Sequence, residues 1–268
     1  MPTAHLPGVD LYYEVEGSGP PVVLIAGAVS DSASWGPLVP LLAAHFTVIR
    51  PDNRLAGRTR MTSDGDVTLA DWAGDIIALT DHLGIDRPHL VGHSLGGLIA
   101  LAASDAAPDR VASLTLLSSA PMRLSRNTAL FNTLLALRAE GQPPDLWLRA
   151  FFPWLFHPRF FDTPDGVEEA IRQSLAYPHA QPVAAMARQV AAMVQIDTEG
   201  LGSATACPAL ALLAADDLLI PGQTARAALA QVPGIRIETV AEAGHSIHWD
   251  APDSVAEHVI SFITGGRG

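Results

Sequence analysis

The sequence predicts an α/β fold: a mostly parallel central sheet flanked by helices, with a helical cap inserted in it. Three observations carry that expectation. Short β-rich apolar segments alternate with stretches of helical periodicity up to Leu117 and again after Gly200. The alternation stops in between, where helix-like stretches occur without a convincing strand. Ser94 sits between Gly92 and Gly96 at a switch from a short apolar run to a long one, so a sharp strand-to-helix turn is required there.

Val9 to Val15, Val22 to Ala26 and Phe46 to Arg50 read as the first strands. Trp72, Ile76, Leu79 and Leu83 keep the spacing of one helix face, and Thr68 with Asp71 stands in front of them as a capping box. His89 to Val91 is the next strand, Leu95 to Ala107 the helix after Ser94, and Ser113 to Leu117 the strand that follows. Nine of the chain's 16 aromatics (Phe131, Trp147, Phe151, Phe152, Trp154, Phe156, Phe160, Phe161 and Tyr177) then fall between Pro121 and Gly200. That density predicts a cap over the end of the sheet, with most rings gluing it to the core and some facing the space above Ser94. Strands resume at Ala209 to Leu213 and Ile235 to Val240, with helices at Ala225 to Val232 and Val255 to Ile263. The expected organisation is a core of residues 1–120 and 201–268 with residues 121–200 as the cap, and functional groups gathered beyond the C-terminal ends of the strands.

Composition removes whole classes of function. A hydrophobic content of 49% with 16% charged residues fits a globular protein with a substantial core. The net charge of −12 argues against nucleic acid or an anionic membrane as partner, since both need a cationic face. All 16 basic residues are arginine, so Schiff-base chemistry and a phosphate-loop lysine are excluded. Cys207 is the only cysteine, which rules out an intramolecular disulfide and a cysteine-rich metal site and leaves it as apolar filler. Met1 to Glu16 shows neither a basic n-region nor an apolar h-region, and no run reaches the ~18 apolar residues of a membrane span; a cytoplasmic protein is expected.

The Gly-x-Ser-x-Gly turn is the pattern of a nucleophile elbow, in which a side chain at either glycine would strike the adjoining strand or helix. A serine hydroxyl is a weak nucleophile at neutral pH and needs a base, which in turn needs an orienting acid. Both residue types follow downstream: Asp216 and Asp217 after the Leu212 strand, then His245 and His248 after the next strand.

With these motifs the chain resembles the α/β-hydrolase superfamily over nearly its whole length. The resemblance places the acid four residues before Pro221, which selects Asp217 over Asp216. It places the histidine in a Gly-His-x-x-x-x-acid-x-Pro pattern, which selects His245 over His248, with Asp250 in place of the more usual glutamate. It also implies two backbone oxyanion donors, the N–H groups of Leu95 and Ala28. Two departures stand out: Ala26 replaces a histidine in the Ala26-Gly27-Ala28 loop, and Leu55 replaces a glycine in Asp52-Asn53-Arg54-Leu55-Ala56-Gly57-Arg58. In relatives the latter loop approaches the pocket; here Arg54 is expected to fix it as a surface loop.

The opening Leu11 to Gly17, the Ala107 to Val111 passage and Ile196-Asp197-Thr198 are similar to the small bacterial esterase and 3-oxoadipate enol-lactonase branch. The resemblance thus implies a serine hydrolase cleaving a small-molecule ester or lactone through an acyl-enzyme, without cofactor or metal. Carbon-carbon bond hydrolases, cofactor-free oxygenases and non-catalytic ligand sensors share the same framework and stay open as alternatives. Seven arginines against eight acids in residues 121–200 favour a neutral or weakly anionic apolar substrate, with Phe152, Trp154, Phe156 and Phe160 as its expected wall.

Overall fold

The computed structural model describes residues 2–139 and 141–265. Met1, Glu140 and residues 266–268, which the expected domain spans include, lie outside the described residues. The first half of the chain forms β1 (Thr3–Leu6), β2 (Val9–Glu16), β3 (Pro21–Ile25), α1 (Val39–Ala43), β4 (Thr47–Pro51), β5 (Arg60–Met61), α2 (Leu69–His82), β6 (His89–His93), α3 (Leu95–Ala106) and β7 (Ser113–Leu117). Then come α4 (Ser125–Leu137), α5 (Leu146–Leu155), α6 (Pro164–Ala176) and α7 (Val183–Val194). The chain ends with β8 (Ala209–Ala214), α8 (Gly222–Leu229), β9 (Arg236–Val240), α9 (Ile247–Asp250) and α10 (Pro252–Thr264).

The strands make one nine-stranded sheet in the order β1-β2-β4-β3-β6-β7-β8-β9, with β5 paired to β2. Pairing is antiparallel among β1, β2 and β4 and parallel from β4 through β9. β7 and β8 are buried at every position, as strands covered on both faces must be. Successive residues feed opposite faces: Val23, Ile25 and Ile49 pack with α2 and α3, whereas Val22, Leu24 and Val48 pack with α1 and α10. α2 starts on the reciprocal capping box of Thr68 and Asp71, a device worth about 0.5–2 kcal/mol, and buries Trp72, Ile76 and Leu79.

Several boundaries differ from the sequence expectation. β1 and β5 were not anticipated because a four-residue and a two-residue edge strand carry too little pattern. α1, five residues long, has the same difficulty. α8 occupies Gly222–Leu229 rather than Ala225 to Val232, because Pro221 takes the N-cap conformation and starts the helix earlier. α10 likewise begins early, with Pro252 at its first position. Among the described residues no strand interrupts α4 to α7, and no helix is long and apolar enough to cross a membrane.

Candidate active site

Ser94 leaves β6 with φ 53° and ψ −118°, outside the ordinary regions for a non-glycine residue. The turn closes so tightly that a Cβ at Gly92 would lie 2.2 Å from the Gly96 carbonyl oxygen, and one at Gly96 2.0 Å from that of Ile25. Such strain, about 1–3 kcal/mol, persists because the surroundings over-determine it. Ser94 N–H donates to the Leu117 carbonyl at 3.0 Å, and Ser119 Oγ donates to the Ser94 carbonyl at 2.7 Å. The elbow is thereby tied to the last residue of β7 and to the loop just after it.

The loop after β8 carries Asp217, and the loop after β9 carries His245. The His245 Nδ1–H donates to Asp217 Oδ2 at 2.9 Å and lies 3.1 Å from Oδ1. Asp217 Oδ1 also accepts the N–H groups of Leu219 and Ile220, both at 2.8 Å. Asp216 points elsewhere: its carboxylate is half exposed and 3.5 Å from His157 Nε2. His93 Nε2–H donates to the backbone carbonyl of His245 at 2.9 Å. Burial, with the neighbouring His245 second, pushes the His93 imidazole down to about 3, so it stays neutral. His248, buried in van der Waals range of His93 and Trp35, is held well below the usual range, again chiefly by burial. Asp250 Oδ2 accepts from Gly244 N–H at 2.8 Å and from His157 N–H at 2.9 Å, which fixes the His245 loop.

Ser94 faces two cavities. The larger, about 400 Å³, is lined by Ser94, His245, Ala28 and an aromatic wall. The smaller, about 100 Å³, is lined by Ser94, Leu95 and aliphatic residues such as Leu98, Met193 and Ile196. Phe131 and Leu219 stand between them and line both. Ala28 and Leu95, the expected oxyanion donors, thus flank the serine, and among the described residues neither N–H donates a hydrogen bond.

Phe152, Phe156 and Phe160 line the larger cavity, but Trp154 lines neither. The expectation for Trp154 is corrected. Its ring packs into the cluster of Phe131, Leu134 and Phe151 and lies 6.0 Å below the Arg126 guanidinium, an arrangement set by α4. The wall also takes in Phe151 and Leu155, within the Phe151 to Phe161 stretch that the sequence pointed to, and Trp147 and Leu148, which sequence reasoning overlooked; their spacing with Phe152 marks one face of α5. Sequence reasoning also overlooked Arg138, Tyr177 and Asp31 as lining residues; Tyr177 donates to Asp31 at 2.8 Å. Burial, then Asp52, raises the Asp31 carboxyl. Arg54 fixes the 52–58 loop as expected, through its fork on Asp75 at 2.6 and 2.8 Å, but the expectation of a surface loop is corrected: residues 52–56 are buried, Ala56 and Gly57 line the larger cavity, and Arg58 is engaged by Asp52 and Glu14. Among the described residues no cluster of side chains has metal-ligand geometry.

The alpha/beta hydrolase family profile matches residues 22–258. The chain belongs to that family. Within it, a protein of Azorhizobium caulinodans that carries the name carbamate hydrolase RutD is 29% identical over 266 residues, covering 98% of each chain. The enol-lactonase of Burkholderia xenovorans LB400 superposes with a TM-score of 0.85 at 25% identity, covering 98% of this chain and 100% of that one. A thermophilic esterase from Thermogutta terrifontis gives 0.83 at 25% identity, over 99% and 97%. The mostly parallel central sheet flanked by helices is therefore that of an alpha/beta hydrolase.

Proposed function

We propose that the protein is a serine hydrolase that cleaves a small apolar or weakly anionic carboxylic ester or lactone through an acyl-enzyme on Ser94. The observation that carries this reading is the convergence on one cavity of Ser94 and His245, with His245 oriented by Asp217. In the proposed cycle the Ser94 hydroxyl attacks the carbonyl carbon as His245 takes its proton, and Asp217 holds the imidazole in the tautomer that accepts it. The Leu95 and Ala28 N–H groups stabilise the oxyanion, and the protonated His245 returns its proton to the leaving oxygen. Water then repeats the sequence on the acyl-enzyme. Residues 121–200 serve as the cap, with Phe152, Phe156 and Phe160 in the substrate wall.

Arg138 supports the weakly anionic option. Arg138 lines the larger cavity; its guanidinium lies 4.6 Å over the Trp147 ring, donates to the Gln181 carbonyl at 2.7 Å and has no carboxylate partner among the described residues. Carbamate hydrolysis is a second reading, favoured by the name that the relatives from Azorhizobium and Variovorax share; it needs the same nucleophile and hole.

Turnover of p-nitrophenyl acetate and butyrate, an enol-lactone and a phenyl carbamate by the wild type and by Ser94→Ala tests the proposal. Ser94→Ala should lose all but a small residue of the rate, of the order of 10⁶-fold, and a fluorophosphonate should label Ser94. Label on another serine, or full activity in Ser94→Ala, would overturn it. Absence of turnover on every substrate would favour the ligand-sensor alternative.

A further inference from the structure

The loop after β3 contains a residue more strained than its neighbours require. Val29 has φ 59°, a left-handed conformation that is a genuine outlier for a β-branched side chain. What holds it comes from outside the sheet. Val29 N–H donates to Oε1 of Gln189 at 2.9 Å, and its side chain packs against the cluster of Phe131, Phe151, Met186 and Val190. Gln189 belongs to α7 and is fully buried, and its Nε2 has no partner among the described residues, so only its carbonyl oxygen is in use. That oxygen also accepts from Gln181 Nε2 at 3.2 Å, which donates in addition to the Leu55 carbonyl at 2.7 Å. Leu55, with φ 71°, is another left-handed non-glycine residue, standing where the family resemblance expects glycine. Two glutamines from the segment between β7 and β8 therefore brace two strained loops at the end of the sheet.

We propose that Gln189, steadied by Gln181, is a positioning residue for the oxyanion loop. By accepting from Val29 it fixes the Ala28–Val29 peptide, and through Ala28 it restrains the adjoining Gly27–Ala28 peptide, which carries the Ala28 N–H. This rests on the reading of Ser94 given above. Without the acceptor, the half-buried Val29 N–H would lose its protein partner and the valine would relax to negative φ, shifting the Ala28–Val29 peptide and the Gly27–Ala28 peptide next to it. The brace takes the place of a side chain at position 26, where alanine supplies none; the Ala26 carbonyl itself is held at 2.9 Å by Asn53 Nδ2.

The test compares Gln189→Met, which keeps length and loses the acceptor, with Gln189→Glu, which keeps an acceptor oxygen and exchanges the partnerless Nε2 for a second carboxyl oxygen. Both are measured for kcat and KM on p-nitrophenyl butyrate, for melting temperature, and for inhibition by butylboronic acid, whose tetrahedral adduct on Ser94 places an oxygen in the same hole. Loss of one whole oxyanion donor costs about 10²–10³ in kcat, so a loosened one should cost roughly 10- to 100-fold. Gln189→Met should lower kcat by that factor, weaken the boronate in parallel and leave KM within about twofold. Gln189→Glu should stay near wild type, and Val29→Gly added to Gln189→Met should recover part of kcat, because glycine holds a left-handed turn unaided. A Gln189→Met enzyme that melts earlier with unchanged kcat and boronate affinity would overturn the proposal. If Gln189→Met does not fold, Gln181→Met carries the test: kcat about threefold lower supports the brace, unchanged kcat sinks it. Survival of activity in Ser94→Ala would instead sink the reading of the site itself.

Discussion

The sheet and the helices α4 to α7 place their residues at the candidate site by different means. In the sheet, backbone geometry decides: Ser94, Asp217 and His245 stand beyond the C-terminal ends of β6, β8 and β9, and steric exclusion at Gly92 and Gly96 leaves the serine one direction to point. In the helices, packing decides: Trp147 reaches the cavity whereas Trp154, two turns further along α5, is drawn to α4. The difference teaches that the two regions should fail differently when altered. Changes in the sheet should be all-or-none, and changes in the helices graded.

The largest effect is expected at Gly96. Alanine there would put a Cβ 2.0 Å from the Ile25 carbonyl oxygen, backbone against backbone, so Gly96→Ala should cost more than ~4 kcal/mol or leave no folded protein in a thermal melt. A variant that melts within a few degrees of wild type would show that the elbow gives way and would erase the contrast. Next comes Asp217→Asn, expected to lower kcat about 10⁴-fold with little change in melting, while Asp216→Asn stays within about twofold. A larger loss from Asp216→Asn would reassign the acid.

A smaller effect should appear in the pH dependence of stability. His93 and His248 are neutral in the fold because burial depresses them, His93 to about 3, whereas an unfolded chain protonates its histidines near 6.5. The unfolded state therefore binds more protons below that value. Stability contributed by these two side chains is complete above pH 6.5 and drains away as pH falls toward the folded values, by up to about 1.4 kcal/mol per pH unit for each. Melting curves between pH 8 and 4 should show the decline, and His248→Phe should make it shallower. An identical slope in that variant would exclude His248 as a contributor.

The smallest changes belong to the helices. Phe156→Ala should shift the relative rates on acetate, butyrate and octanoate esters by roughly 1–3 kcal/mol, while Trp154→Ala should lower the melting temperature and leave those ratios alone. Equal shifts from both would mean that Trp154 also reaches substrate.

The legibility of the sequence follows the same division. The glycine-flanked serine was readable because it is a local constraint that few residues satisfy, whereas the choice of Asp217 over Asp216 and of His245 over His248 came from the family resemblance. The capping box of Thr68 and Asp71 was readable, like the serine, as a local constraint. The wall of the cavity was readable only as a density of aromatics, since which ring turns inward depends on partners far along the chain. The Gln189 contact to Val29 joins residues 160 positions apart, and nothing local at either end announces it. Strands as short as β1 and β5 stayed hidden because pairing with β2, not their own composition, makes them strands.

The order of these parts along the chain has a consequence during synthesis. Ser94, the proposed nucleophile, follows β6, ahead of α4 to α7, whereas Asp217 and His245, its proposed acid and base, come after β8 and β9. At ordinary translation rates Asp217 and His245 leave the ribosome on the order of ten seconds after Ser94. A nascent or prematurely terminated chain therefore carries an elbow with no base to ionise it. The proposed reactivity switches on only once β8 has found β7 across the helices, so completion of the polypeptide is itself the activating step.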